Sequence, residues 1–268
     1  MIRITVVTIT YNAEKVLQRT LDSVYAQTYE GVEHLIVDGA SKDNTLQMAE
    51  VYKEKSDASG NGHKVIILSE PDHGIYDAMN KGLTQASGDY IVYMNAGDFF
   101  PQTDTLEQIV QHCQLNELPS DDLPGVLYGN TDIVDSDGHY LHPRQHQPPQ
   151  QLTWRSFRKG MLVCHQAFYA RTDIAKNQQY DTRYRFSADV DWCIRVMKET
   201  ERMGLKLCNT QMVVANYTEE GTTTQNHRAS LLERYRVMAH HYGHVQTFLL
   251  HCWFVVRAVF NQSRPFYR

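Results

Sequence analysis

IRITVVTIT, residues 2–10, opens the chain with an almost unbroken β-branched run. Strands buried on both faces of a parallel sheet read this way. Working outward, HLIVD (34–38), KVIILS (64–69) and DYIVYM (89–94) repeat the signal at intervals long enough for a helix between each pair. Val16, Thr20, Leu21 and Val24 fall at helical spacing within 14–27. DNTLQMAEVYKEK (43–55) reads as a helix with Asp43 or Ser41 near its N-cap. SDASGNGH (56–63) is a polar turn, and a helix fits 76–86. This β-α-β-α-β-α-β alternation predicts an α/β fold with a mostly parallel central sheet and helices on both faces. Ligands of such sheets sit at the carboxyl ends of the strands.

Beyond Asp98 the rhythm changes. A helix is predicted over 104–115 and a proline-bearing loop over 116–124. Short strands follow over 125–142, with a DSDGH turn at 135–139. Residues 143–152, rich in proline and glutamine, read as an extended connection. Then come a strand at 166–170, a helix at 187–199, a strand at 211–215, a polar Gly/Thr loop at 218–227, and helices at 229–242 and 245–260. No internal repeat and no clean linker is visible. We therefore expect one domain over 1–225, divided into halves 1–100 and 101–225, with a helical appendage at 226–268.

The chain has 268 residues, 42% hydrophobic and 21% charged, with a net charge of −5. That is globular composition. The negative total argues against a nucleic-acid binder. Residues 226–268 hold six arginines, no lysine and one acid, Glu233, so this tail is +5 and the body −10. The five cysteines include no C-x-x-C pair, and free thiols in a reducing cytosol are expected. No signal peptide and no membrane span is read: 245–260 is short and carries His251 and Arg257.

Polar residues gather at the predicted strand ends: TITYN (8–12), DGASKD (38–43), EPDHG (70–74) and NAGD (95–98). One such loop would be an ordinary turn or cap; four on one edge of a sheet point to a site. G-x-G-x-x-G, G-x-x-x-x-G-K-[ST] and G-x-S-x-G are all absent, which removes the usual dinucleotide, P-loop and hydrolase-elbow readings. A carboxylate-held Mg²⁺ or Mn²⁺ is then the natural partner for a phosphate group, and Asp98 fits that role.

TITYNA (8–13), DGASKDNT (38–45), SEPDHGIYDAMNKG (69–82) and YMNAGDFF (93–100), in that order, resemble the family-2 glycosyltransferases of the GT-A fold. SADVDWCIRV (187–196) resembles that family's later acidic motif. The resemblance is strong over 1–100 and looser over 160–225. It implies inverting transfer of a sugar from a nucleotide-diphosphate donor, a UDP-sugar first, to an acceptor hydroxyl in cell-surface polysaccharide assembly. It places Thr10, Tyr11, Asn12 and Asp38 around the base and ribose, and Asp72, Asn80 and Lys81 along the donor pocket. The Asp-X-Asp element falls on Asn95 to Asp98, where Asn95 and Gly97 replace acids and leave Asp98 to hold the metal. The later acid pair falls on Ala188-Asp189, so Asp189 takes the place of the base, with Asp191 as its competitor. Ser187 would cap that helix. Trp192 either lines the acceptor site or belongs to the core. His165, with Gln166, opens a strand and stands between a structural and a site role. His227 or Arg228 would help hold the leaving diphosphate.

Over 245–260, Val245, Phe248, Leu249, Cys252, Val255, Val256 and Val259 form an apolar helical stripe. With Trp253, Phe254 and the arginines it suits the inner face of the cell membrane and a lipid-linked saccharide acceptor. Packing on the catalytic domain, or a homodimer contact, is the equal alternative. If the appendage only anchors, a cut before Ala229 leaves donor chemistry intact. Two other functions stay open: a catalytically inactive nucleotide-sugar-binding scaffold, and a sugar nucleotidyltransferase, though TITYNAEK is not the latter's glycine-rich phosphate loop.

Overall fold

The computed structural model describes residues 1–219 and 227–252, without the side chains of His227 and Arg228. Its first half runs β1 (Ile4–Thr10), α1 (Leu17–Tyr25), β2 (Val32–Asp38), α2 (Thr45–Ser59), β3 (Lys64–Ser69), α3 (Ile75–Gln85) and β4 (Tyr90–Tyr93). The second half adds α4 (Thr105–His112), β5 (Val126–Val134), β6 (Tyr140–Pro143), β7 (Phe168–Arg171), α5 (Thr172–Lys176), α6 (Ala188–Arg202), β8 (Leu207–Thr218) and α7 (His227–Tyr242). A further helical stretch spans 244–252.

All seven residues of β1 are buried, as its β-branched run requires. It pairs in parallel with β2 on one side and β4 on the other. The sheet order is β3-β2-β1-β4-β7-β5-β6, with β8 paired to β5. On one face Leu17, Leu21, Ala49 and Tyr52 of α1 and α2 cover Ile36 and Val65. The larger core lies on the other face and takes in α3, α4 and α6. Strand order reverses beside β1, so a crevice opens at the carboxyl ends of β1 and β4, where such folds bind ligands. The first half matches the expected elements to within a few residues.

The second half departs in instructive places. β8 is a twelve-residue strand, longer than the expected 211–215, and it is irregular where Gln211 takes a φ of 56°. Its polar stretch, LCNT, gives no strand signal; pairing with β5 makes it one. His165 and Gln166 form a short 3-10 turn ahead of β7. Ser187 occupies the N-cap of α6, but its hydroxyl makes no capping bond. The expectation of free thiols is corrected: Cys113, after α4, and Cys208, in β8, form a disulfide across 95 residues, with Cα atoms 6.3 Å apart. Sequence spacing cannot show such a pair; the fold brings it together. Cys164, Cys193 and Cys252 are free.

The helical appendage divides. α7 packs on α6, with Val237, Met238, Ala239 and Tyr242 buried. Tyr242 stacks on Trp154, and its hydroxyl donates to the Trp154 carbonyl at 2.5 Å. So α7 belongs to the body. Residues 253–268, and with them Trp253, Phe254 and the stripe residues Val255, Val256 and Val259, lie outside the described residues, as do 220–226 of the polar loop. Among the described residues no helix is long and apolar enough to cross a membrane.

A buried polar chain ties the layers behind the crevice. The Thr8 hydroxyl donates to the Met94 carbonyl at 2.9 Å, just past β4. It lies 2.9 Å from His34 Nε2, and the Tyr52 hydroxyl lies 2.7 Å from His34 Nδ1. Burial, with nearby His63 adding, pushes the His34 pKa down to about 3, so the ring is neutral. Nε2–H then donates to Thr8 and Nδ1 accepts from Tyr52. Tyr52→Phe orphans that acceptor, and we expect a loss of about 1–3 kcal/mol in urea denaturation. An unchanged midpoint would break this chain of donors.

Candidate active site

The ends of β1 and β2 are in register, Thr10 beside Asp38, and Asp38 lies beside Ser69 of β3. Past them the backbone takes left-handed turns at Asn12 (φ 48°) and Ala40 (φ 59°), conformations that cluster at functional sites. The two loops are laced: the Asn12 N–H donates to the Ser41 hydroxyl at 2.8 Å, and the Lys42 N–H donates to Asn12 Oδ1 at 2.9 Å. Asp38 is fully buried. It accepts the Ser69 hydroxyl at 2.7 Å, the Ser41 N–H at 3.1 Å and the Ser41 hydroxyl. Beside it the Thr10 hydroxyl is buried without a partner, and the Tyr11 ring is 61% exposed. Gly39 has no room for a side chain, since a Cβ there would strike the Asp72 carboxylate and sit 3.2 Å from the Tyr11 ring. Tyr11, Gly39 and Asp72 therefore share one wall of the crevice.

Two residues expected in the donor pocket are used elsewhere. Asn80 accepts the Tyr180 N–H at 2.7 Å and donates to the Tyr180 carbonyl at 2.9 Å. Lys81 binds Glu70 at 2.9 Å and the Pro71 carbonyl at 2.6 Å. Both brace the walls. Of the two readings of Trp192 the core one holds: it is fully buried and stacked on Tyr180, and it does not line the crevice.

A second group converges on Asp189, in the first turn of α6. Asn95 Nδ2 donates to His165 Nε2 at 3.1 Å, and His165 Nδ1 lies 3.6 Å from Asp189 Oδ2. The Tyr76 hydroxyl donates to Asp189 Oδ1 at 3.2 Å. Burial raises the Asp189 pKa, but the His165 contact outweighs it and the carboxyl is held below its usual range. Burial and the Asp189 charge push the Tyr76 phenol well up, so it stays a donor. Asp189 is thus held as an ionised carboxylate, with the Tyr76 phenol as a donor beside it. Tyr76 was within reach of sequence reading, inside SEPDHGIYDAMNKG, but nothing in its spacing marks it.

Asp191 faces the other way. It binds Arg195 Nε at 2.7 Å and His241 Nε2 at 2.8 Å. Lys198 donates to His241 Nδ1 at 3.0 Å, so His241 is neutral and gives its Nε2 proton to Asp191. Asp191 is a bolt between α6 and α7.

Asp98 is 5% exposed. Its Oδ2 accepts the Gln166 amide at 2.7 Å and its Oδ1 the Thr218 N–H at 3.1 Å. Thr218 is near because Phe99 and Asn216 exchange backbone hydrogen bonds. Gly97 has a φ of 102°, which an L side chain rarely adopts, so an acid there would be strained. Below the end of β8 a pocket of about 280 Å³ opens, lined by Ile133, Arg144, Tyr217 and Glu219 among others. Asp135, Asp137 and His139 also gather, but at an exposed turn whose own hydrogen bonds explain them.

Residues 5–177 match the model of glycosyl transferase family 2. The chain belongs to that family. A PGL/p-HBAD biosynthesis glycosyltransferase of Mycobacterium bovis is 32% identical over 213 residues, 79% of this chain and 75% of that protein. The amylovoran biosynthesis glycosyltransferase AmsB of Erwinia amylovora is 28% identical over 213 residues, 77% of this chain and 66% of that one. Among solved structures, S. aureus TarS 1–349 in complex with UDP-GlcNAc superposes with a TM-score of 0.64 at 20% identity, over 88% of this chain and 64% of that one. The mannosyltransferase PcManGT from Pyrobaculum calidifontis, in complex with GDP-Man and Mn²⁺, gives 0.59 at 16% identity, over 99% and 76%. The sheet and its flanking helices are the GT-A glycosyltransferase fold, and the chain is a family-2 glycosyltransferase of glycan biosynthesis.

The Asp98 environment fits a divalent cation. Burial raises its pKa to about 6, only partly offset by Gln166, Thr218 and His165. It forms no ion pair among the described residues. Each oxygen keeps a lone pair, and Mg²⁺ or Mn²⁺ needs only one or two carboxylates besides phosphate oxygens and water. Because the folded pKa exceeds the unfolded one, the stabilising contribution of this group is complete below about pH 3.8 and lost as pH rises through about 6. Asp98→Asn should therefore raise Tm at pH 7.5, by the equivalent of roughly 3 kcal/mol at most, with the gain vanishing towards pH 4. Mn²⁺ should raise the Tm of the unaltered protein above pH 6 and leave Asp98→Asn unmoved. Equal responses of the two proteins would remove Asp98 from the metal site.

Proposed function

We propose that this family-2 enzyme moves a sugar, with inversion, from a UDP-sugar to a hydroxyl of a saccharide or lipid-linked saccharide during assembly of a cell-surface glycan. The observation that carries this reading is Asp189: half-buried, held ionised, and hydrogen-bonded only through groups that leave it able to accept a proton. Asp189 takes the acceptor's hydroxyl proton. The hydroxyl oxygen bonds to the anomeric carbon as the bond from that carbon to the diphosphate oxygen breaks, and the diphosphate leaves with the electron pair. His165, held by Asn95, and Tyr76 orient the carboxylate and keep it ionised until the hydroxyl arrives. Tyr11, Asn12, Thr10 and Asp38 receive the base and ribose, the free Thr10 hydroxyl and the exposed Tyr11 ring offering a hydrogen bond and a stacking face. Asp72 takes the sugar side. A cation at Asp98 would neutralise the diphosphate as its charge grows, a use of metal common in this family and matched by the Mn²⁺ in the PcManGT complex.

Asp189→Asn should lower kcat by about 10²–10⁴-fold with donor affinity little changed. Asp191→Asn should lower Tm and spare much of kcat, because its partners are structural. The reverse pattern would assign the base to Asp191.

We place the acceptor at the cytoplasmic face of the membrane. With α7 committed to the body, the membrane-facing segment shrinks to 243–268. Val245, Phe248 and Leu249 are 77%, 58% and 62% exposed. The sequence that follows, WFVVRAVFNQSRPFYR, adds aromatic residues and three arginines. Each arginine contributes about 1 kcal/mol near an anionic leaflet, a term that salt weakens, while the apolar term persists. The full chain should co-sediment with anionic vesicles, and Phe248→Glu with Leu249→Glu should abolish this. A homodimer contact predicts instead no vesicle binding and a change of oligomeric state on the same substitutions.

A further inference from the structure

Helix α6 carries Asp189, yet it begins without a cap of its own. The Ser187 hydroxyl at the N-cap is buried and unpartnered. Asp189 and Asp191, the acids of the first turn, are turned to other partners. The last three N–H groups before the helix all point at one carboxylate from a distant part of the chain. Arg185 N–H donates to Glu233 Oε2 at 2.8 Å. Phe186 and Ser187 N–H donate to Glu233 Oε1 at 2.6 and 2.7 Å. Successive backbone N–H groups converging on an anion form a strong, directional seat. Glu233 lies on α7 and is the one acid in residues 226–268.

Ser187 is two residues from Asp189, about 3 Å along the helix axis. A carboxylate fixed to the backbone there sets where the helix starts and which way its first turn faces. That first turn aims Asp189 at His165 and Tyr76. α7 is in turn fixed at its far end by the His241–Asp191 and Tyr242–Trp154 contacts. Helix α7 therefore meets α6 twice, at the backbone that enters it and through Asp191, and only the first contact adjoins the base.

We propose that Glu233 is a positioning residue for glycosyl transfer, setting the Asp189 carboxylate by anchoring the backbone that enters α6. The inference rests on the reading of Asp189 as the base. An amide at 233 keeps the shape but sets its NH₂ against backbone donors, so the entry segment shifts. Displacement of a reacting group by about 1 Å can cost on the order of 10² in rate.

The test uses the full chain. Glu233→Gln should lower kcat about 10- to 100-fold, Glu233→Ala at least as much, with donor affinity by calorimetry changed less than about threefold. Tyr242→Phe, which loosens the other end of α7, should lower Tm but hold kcat within about twofold. The proposal is overturned if Glu233→Gln keeps the original kcat. It is overturned equally if kcat and donor affinity fall together, or if Tyr242→Phe at the same loss of Tm costs as much kcat, since Glu233 would then be only a fold contact. Asp189→Asn run alongside separates the two claims. If it is fully active, the base assignment fails. If it is inactive while Glu233→Gln is unimpaired, only the positioning role fails.

Discussion

The central position of β1 is the constraint on which the rest depends. Because β1 pairs in parallel with both β2 and β4, three chain segments must leave the sheet at the same edge, and each does so in a loop freed from ladder pairing. The polar groups buried between the strands, such as Thr8 and His34, are already paired with one another, so groups open to a ligand collect at that edge. The Thr8–Met94 bond and the seating of Asp38 on Ser69 and Ser41 hold the edge rigid from below. The loops can then take the left-handed turns at Asn12, Ala40 and Gly97 without unravelling.

Rigidity at the edge also explains why so many polar side chains there serve structure. Asp38, Asn80, Lys81 and Asp191 all look functional by type and place. All four spend their main hydrogen-bonding capacity on backbone or on fixed partners, and Asp38 borders the crevice while doing so. A crevice built from loops needs walls as much as contacts, and walls in a loop region have no hydrophobic core to lean on. Buried hydrogen bonds do that work.

The first hundred residues were legible because each strand there is rich in β-branched and aliphatic residues and the intervals between strands fit helices; local signal and global fold agree. The four polar loops could be placed on one edge from connection rules alone. What escaped was set by long-range pairing. β8 is a strand because β5 is beside it, and its LCNT has no strand signal of its own. The Cys113–Cys208 bridge joins elements 95 residues apart. Glu233 reads as the lone acid of a basic tail, and nothing near it in sequence says that its partners are the amides of 185–187. Asp189 could be separated from Asp191 only by seeing that Arg195 and His241 claim the latter.

The thinning of the acidic motifs follows from the same geometry. Where the family pattern has further acids, this chain has Gly97, whose backbone angle excludes them, and Ala188, which is fully buried. One carboxylate survives in each motif, and the two survivors are served by adjacent residues on one 3-10 turn. Gln166 donates to Asp98, and His165 stands beside Asp189. That turn is short, and the strand behind it, β7, pairs antiparallel with β4, so it cannot move without the sheet. The turn therefore ties the position of one carboxylate to that of the other. Its partners are chosen accordingly: an uncharged amide leaves Asp98 under-compensated and its pKa raised, while imidazole and phenol leave Asp189 ionised. Two acids served by one turn thus shift in opposite directions, Asp98 upward and Asp189 downward, because burial prevails at the first and the His165 contact at the second.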